Sequence, residues 1–195
     1  MKLAVILGTV REARHSDKVA KWAVSHASKL DGVEVELIDL KDYPMPFFDE
    51  AISPRYNPER KAVPAVQKWL NKIAEFDAYL FVTPEYNHSI PGVLKNALDY
   101  IDFQLKQKPS AIISHGSVGG ARAAEQLKLI LVEVLSPVIP PAVPLTMRVG
   151  DNFDENGTLS EEVANQPYGP QMALGGMLAE LKWYSDALST ARAHA

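Results

Sequence analysis

The sequence predicts an α/β domain built on five parallel strands, in the doubly wound order 2-1-3-4-5, with helices on both faces. Three observations lead there. Short β-branched runs alternate with segments of helical period along the chain. Five such runs can be counted, and parallel strands joined by helices require right-handed crossovers that cover both faces of the sheet. The chain has 195 residues, 47% hydrophobic and 23% charged, enough for one domain around one substantial core.

Lys2 to Leu7 (KLAVIL) reads as the first buried strand. From Asp17 to Leu30, Val19, Ala23, Ala27 and Leu30 share one helical face, with Ser16 or Asp17 as the expected N-cap. Val33 to Leu40 alternates apolar and charged residues, the pattern of a less buried strand. Residues 41–62 carry Pro44, Pro46, Pro54 and Pro58 and must be loop, unusually long for a compact domain. Val63 to Glu75 is helical through Val66, Leu70 and Ile73. Ala78 to Thr83 is an apolar third strand, Val93 to Ile101 a helix, and Ser110 to Ser114 a short fourth strand. Ala121 to Leu135 is a long helix with Leu127, Ile130, Leu131, Val134 and Leu135 facing inward. A fifth strand belongs between Val138 and Met147, where Pro140, Pro141 and Pro144 blur its limits and place it at the sheet edge. Gly169 to His194 forms the last helix, with Leu174, Leu178, Leu181 and Leu188 on one side. No repeat, charge run or domain boundary interrupts residues 1–195.

Composition excludes several chemistries. There is no cysteine, so no disulfide, thiolate nucleophile or zinc–thiolate site exists. The formal net charge of -4 argues against a broad nucleic-acid surface. The apolar run at Met1 to Leu7 stops at Gly8, too short for a secretory signal, and no segment approaches a membrane span of roughly 20 residues. A cytoplasmic protein is expected. Two glycosylation-type triplets, at Asn87 and Asn156, are then read as chance matches.

In a doubly wound sheet, ligands bind at the carboxyl ends of the strands, which singles out three loops. The first, Gly8 to Ser16, runs from a buried strand into a helix N-terminus, where unpaired N–H groups favour an anion. Thr9 and Ser16 add hydroxyls, Arg11 adds a bidentate donor, and Lys18 follows in the helix. The loop matches neither G-x-G-x-x-G nor G-x-x-x-x-G-K-[ST] and lacks the glycines that admit a diphosphate, so a phosphate monoester suits it better. The competing reading is a polar, solvated turn with two surface arginines.

In the second loop, Pro84, Glu85, Tyr86 and Asn87 offer a flat wall and amide groups to a planar heterocycle, or simply turn the chain before Pro91-Gly92 opens a helix. His88 in this loop is read as a surface or hydrogen-bonded residue rather than a catalyst. The third loop, Ser114-His115-Gly116-Ser117-Val118-Gly119-Gly120, lets the main chain approach a flat ligand, or is a flexible turn.

Together G-T-V-R-x-x-R-x-S, T-P-E-Y-N-H-S-I-P-G-V-L-K-N-A-L-D and S-x-G-S-x-G-G-A-R resemble the NADPH-dependent FMN reductases of flavodoxin-like fold, over residues 1 to about 150. That family includes quinone, azo-dye and chromate reductases. The resemblance implies that Thr9, Arg11, Ser16 and Lys18 hold the FMN phosphate. It places Pro84, Glu85, Tyr86 and Asn87 beside the isoalloxazine ring, and Ser114, Gly116, Ser117, Gly119 and Gly120 along its other edge. NADPH or NADH would donate hydride in a ping-pong scheme, the flavin carrying the chemistry, with no catalytic side chain and no metal. Main-chain N–H groups of Gly119 and Gly120 would stabilise the reduced ring. Acceptors would be quinones, free flavin, azo compounds or metal oxyanions. A homodimer or dimer of dimers is implied, its shared pocket walled by the 41–62 loop with Phe47, Phe48 and Tyr56. Met172, Met177, Trp183 and Tyr184 of the last helix serve an interface or core packing. Two departures stand out: Gly8-Thr9 replaces the common Gly-Ser, and residues after 136 match poorly. A non-enzymatic electron carrier, a flavin-dependent sensor and a flavin-free nucleotide enzyme are the alternatives.

Overall fold

A computed structural model describes residues 1–57, 59–146 and 151–194. The elements are β1 (Lys2–Leu7), α1 (Ser16–Ala27), β2 (Glu34–Asp39), α2 (Pro64–Ala74), β3 (Ala78–Pro84), α3 (Gly92–Asp99), β4 (Ser110–Gly116), α4 (Ala121–Glu133), β5 (Val138–Thr146), α5 (Glu161–Ala164) and α6 (Pro170–Ala193). The sheet order is β2-β1-β3-β4-β5, and every pairing is parallel. This is the predicted flavodoxin-like order.

Alternation along each strand divides the apolar residues between two layers. Ala4, Ile6, Tyr79, Phe81 and Ile112 pack against α2, α3 and α4 residues such as Trp69, Ile73, Leu94, Leu98 and Leu127. Leu3, Val5, Leu7, Leu80, Val82 and Ile113 face α1 and α6 through Val19, Trp22, Leu174, Met177 and Leu181. Two buried rings have partners for their polar ends: Trp69 Nε1 donates to the Ala97 carbonyl at 3.0 Å, and Tyr79 Oη to that of Ile73 at 2.9 Å, whereas the buried Trp22 Nε1 has none among the described residues. Central β1 and β3 are apolar on both faces because both are covered. Edge strand β2 leaves Leu37 exposed.

Several boundaries moved for local reasons. α1 ends at Ala27 rather than Leu30, as the chain turns toward Gly32 at φ +69°. Neither Ser16 nor Asp17 caps it; Ser16 is its first residue and the cap position is His15, with no side-chain cap. α4 stops at Glu133, and Leu135 lies at φ +65°. β5 does form an edge strand. Between the pairs Ser110–Val138 and Ile112–Ala142 it carries two extra residues, the exposed Pro140 and Pro141, which cannot donate to a ladder. Pro58 and the expected end of β5 at Met147 lie outside the described residues. The 41–62 loop is pinned rather than loose. Asn96 accepts from Phe48 N–H at 2.9 Å and donates to the Pro46 carbonyl at 2.7 Å, and Arg60 reaches the Tyr100 carbonyl at 2.9 Å. The Phe153–Leu159 bridge and α5 had no clear signal in the sequence.

Gly175 and Gly176 sit exposed within α6, and a Cβ at either would meet nothing within 4 Å. Gly175→Ala should raise unfolding free energy by about 0.5–1 kcal/mol, because alanine loses less backbone entropy in a helix. Urea denaturation checks this; a loss of stability would mean that face is already covered.

Candidate functional site

β1 delivers the chain to Gly8, whose N–H donates to the Val82 carbonyl at 2.9 Å. A Cβ there would lie 3.0 Å from that oxygen and from Leu94 Cδ2, so only glycine lets the loop leave so close to β3. Thr9 is buried, its hydroxyl 3.0 Å from Tyr86 Oη and accepting Arg11 N–H at 3.4 Å. Arg14 then turns inward. Its guanidinium binds both oxygens of Asp39 at the end of β2, Asp17 Oδ1 at 2.8 Å, and the Thr9 carbonyl. Burial opposes charge on both partners, yet their mutual hydrogen bonds win: Asp39 is held below its usual range and Arg14 above its own. The solvated alternative with two surface arginines thus fits Arg11 and fails for Arg14.

With Arg14 drawn in, Ala13 adopts φ +47°. The N–H groups of Glu12, Ala13, Arg14, His15 and Ser16 have no hydrogen-bond partner among the described residues. Five successive free donors at a helix N-terminus form an anion nest.

β3 ends at Pro84, and Tyr86 and Ser89 exchange main-chain bonds of 2.9 and 3.0 Å around a two-residue turn. Asn87 at φ +48° and His88 at φ +68° supply the paired positive angles such a turn needs. The guanidinium of Arg11 lies 5.8 Å from the Tyr86 ring centroid. The Glu85 carboxylate points elsewhere: it accepts Arg122 Nε at 2.7 Å and Arg122 N–H at 3.1 Å, capping α4 from a neighbouring loop. Arg122 holds this carboxyl below its ordinary range. Glu85 N–H donates to the His115 carbonyl at 2.9 Å, tying the second loop to the third.

In the third loop, Ser114 Oγ donates to the Gly119 carbonyl at 2.8 Å and Gly119 N–H to that of Gly116 at 3.1 Å. Gly120 lies at φ +70°, where a Cβ would stand 2.7 Å from His115 N. Of the two glycine N–H groups expected to face a ring, that of Gly119 is taken; that of Gly120 has no partner among the described residues. His115 Nε2 lies 2.7 Å from Ser16 Oγ. Burial, with His15 adding to it, brings the His115 pKa down to about 4, so the imidazole is neutral at pH 7.

The three loops enclose a cleft of about 400 Å³. Arg11, Ser16, Pro84, Glu85, Tyr86 and Gly116 line it, as do Arg14 and His115. Thr9 lies beneath, and Ser114, Gly119 and Gly120 build the turn behind. Asn87 and Ser117 are exposed near the loop tips. Lys18 is not on the cleft; its ammonium pairs with Glu155 at 2.6 Å. Arg14 and Arg122 occupied fixed places in the motifs without a role assigned. Asp39 and His115 carried no sequence signal.

A run of unpartnered donors between β1 and α1, where the strand order reverses, with a cleft beside it, marks a ligand-binding protein of flavodoxin-like fold. The donors suit one phosphate monoester and the cleft suits a group lying across the next two loops. Residues 1–148 match the NADPH-dependent FMN reductase family. An NAD(P)H-dependent FMN reductase of Nectria sp. is 37% identical over 169 residues, covering 83% of this chain and 84% of its own. An NADPH:quinone oxidoreductase of Arabidopsis thaliana is 30% identical, with 85% of each chain covered. Among solved structures, the FerB NAD(P)H:acceptor oxidoreductase of Paracoccus denitrificans superposes with a TM-score of 0.71 at 25% identity, over 95% of this chain and 97% of that one. The chain belongs to the NADPH-dependent FMN reductase family, and is an NAD(P)H-dependent flavin oxidoreductase whose cofactor is FMN.

Asp39→Asn should cost about 2–4 kcal/mol of stability, because it leaves the buried Arg14 half-paired. The folded pKa of Asp39 lies below its unfolded value near about 3.9. Its contribution is therefore full above about pH 4 and lost as pH falls through the lower folded value. Denaturation curves of wild type and variant should converge in acid; a pH-independent gap would contradict this.

Proposed function

We propose that the cleft seats FMN with its phosphate on the Glu12–Ser16 N–H groups, Arg11 and the Ser16 hydroxyl, and its ring between the Pro84–Asn87 and Gly116–Gly120 loops. The run of five unpartnered donors carries this reading. When bound, FMN supplies the chemistry, taking hydride from NADPH or NADH and passing electrons to a small acceptor. The protein's part is positional. Arg14 and Asp39 hold the phosphate loop, the Glu85–Arg122 pair fixes the two ring-side loops against each other, and Tyr86, backed by Thr9, walls the cleft. No metal-holding cluster occurs among the described residues.

Acceptors of the quinone, flavin, azo or metal-oxyanion type fit a site without dedicated acid–base residues. All 195 residues act as one FMN-binding unit, working as a homodimer or dimer of dimers in the cytoplasm, without nucleic acid or membrane. Support for the dimer comes from Phe47 and Tyr56, which are 86% and 75% exposed on a loop that is otherwise pinned and could wall a neighbour's pocket. Among the described residues no helix is long and apolar enough to span a bilayer.

The purified protein should turn yellow with FMN and bleach on anaerobic NADPH, re-oxidising when a quinone is added. Arg11→Glu should weaken FMN binding on the order of ten- to a hundredfold, the worth of a charge-assisted hydrogen bond. Unchanged affinity in a fluorescence titration would remove Arg11 from the site.

A further inference from the structure

Ser16 is the one hydroxyl that lines the first loop's side of the cleft, and it is 1% exposed. A serine at this position has a single proton to give. Its oxygen is already engaged, 2.7 Å from His115 Nε2 across from the end of β4. Two arrangements satisfy that contact. If Nε2 is bare, the serine proton points at the histidine and the site presents only a lone pair to an anion. If Nε2 carries the proton, it donates to Ser16 Oγ, and the serine proton is free to turn outward.

We propose that His115 is a positioning residue for the phosphate ester: it donates Nε2–H to Ser16 and so commits the serine proton to the bound phosphate oxygen. The inference rests on the reading that the first loop holds that phosphate. Three observations support it. The Ser16 N–H has no partner among the described residues, like those of the four residues before it, so the hydroxyl adds to a set of available donors rather than standing alone. No group among the described residues bonds to His115 Nδ1, so among them Ser16 is the contact that bears on the tautomer. The imidazole is neutral at working pH, which makes a choice of tautomer possible at all.

The arrangement also gives the third loop a hold on the first. The His115 main chain accepts from Glu85 while its side chain orients Ser16, so one residue links all three loops around the ligand. A donor chain of this kind strengthens each member by polarisation.

Imidazole nitrogen NMR on the uniformly 15N-labelled protein, read with and without FMN, tests this directly, using riboflavin as the phosphate-free control. In the FMN complex, His115 Nε2 should carry the proton. His115→Leu should weaken FMN binding roughly three- to tenfold, in line with one oriented hydrogen bond, and weaken riboflavin binding by less. His115→Gln, which keeps a donor, should restore much of the loss. Because His115 acts through Ser16, adding His115→Leu to Ser16→Ala should cost nothing further. A bare Nε2 in the FMN complex, or losses that add in full, would overturn the proposal while leaving the phosphate site intact. If Ser16→Ala and Arg11→Glu weaken FMN and riboflavin equally, the phosphate is not on this loop, and both readings fall together.

Discussion

Arg14 lies with its side chain 4% exposed between the end of β2 and the start of α1, gripping Asp39, Asp17 and the Thr9 carbonyl at once. The rest of the site depends on this grip. A guanidinium taken out of water must satisfy most of its donors, and the surrounding loop is shaped to do so. As Arg14 is drawn inward, Ala13 turns at positive φ, and the N–H groups of residues 12–16 are left without partners among the described residues. The free energy of the ion pair is therefore less informative than its geometry: it converts an ordinary βα turn into a nest of oriented donors.

The same separation of tasks runs through the other two loops. Residues that look suited to touching a ligand are partly spent on holding the frame. Ser114 closes the glycine turn, Gly119 gives its N–H to Gly116, and Glu85 caps α4. Gly120 is required by its positive φ and by the nearness of His115 N, whatever binds nearby. In the proposed complex, ligand contact falls to main-chain donors, the exposed Arg11, the buried Ser16 and the Tyr86 ring. A flavin brings its own reactivity, so rigid presentation is what the protein has to contribute.

How much of this the sequence revealed varied with the range of the interaction. Strand order and the two-layer core were legible, because β1, β3 and β4 are short apolar runs bounded by glycine and proline, and a buried parallel strand has few other ways to look. The three loops were legible by position, as each follows a strand. Side-chain destinations were not. Lys18 reads as a phosphate ligand one turn into α1, yet Glu155, 137 residues away, lies 2.6 Å from its ammonium. Arg14 and Arg11 are three residues apart and look interchangeable, but one is buried and the other exposed, a difference decided by Asp39 on another strand. His115 gave no signal because its partner, Ser16, is 99 residues distant. Helix ends moved for a local reason instead: α1 and α4 end within a few residues of backbone at positive φ, which Leu135 adopts without being glycine.

The central claim is that a phosphate dianion rests among the main-chain donors between β1 and α1. Phosphorus NMR of protein-bound FMN, followed from pH 5 to about pH 8, tests it most directly. A free monoester titrates near about pH 6. Five N–H donors and a guanidinium favour the dianion, so the bound resonance should be shifted from that of free FMN and stay flat across the range. A bound phosphate that titrates as it does in solution would show that it hangs in water, and the nest would have no ligand.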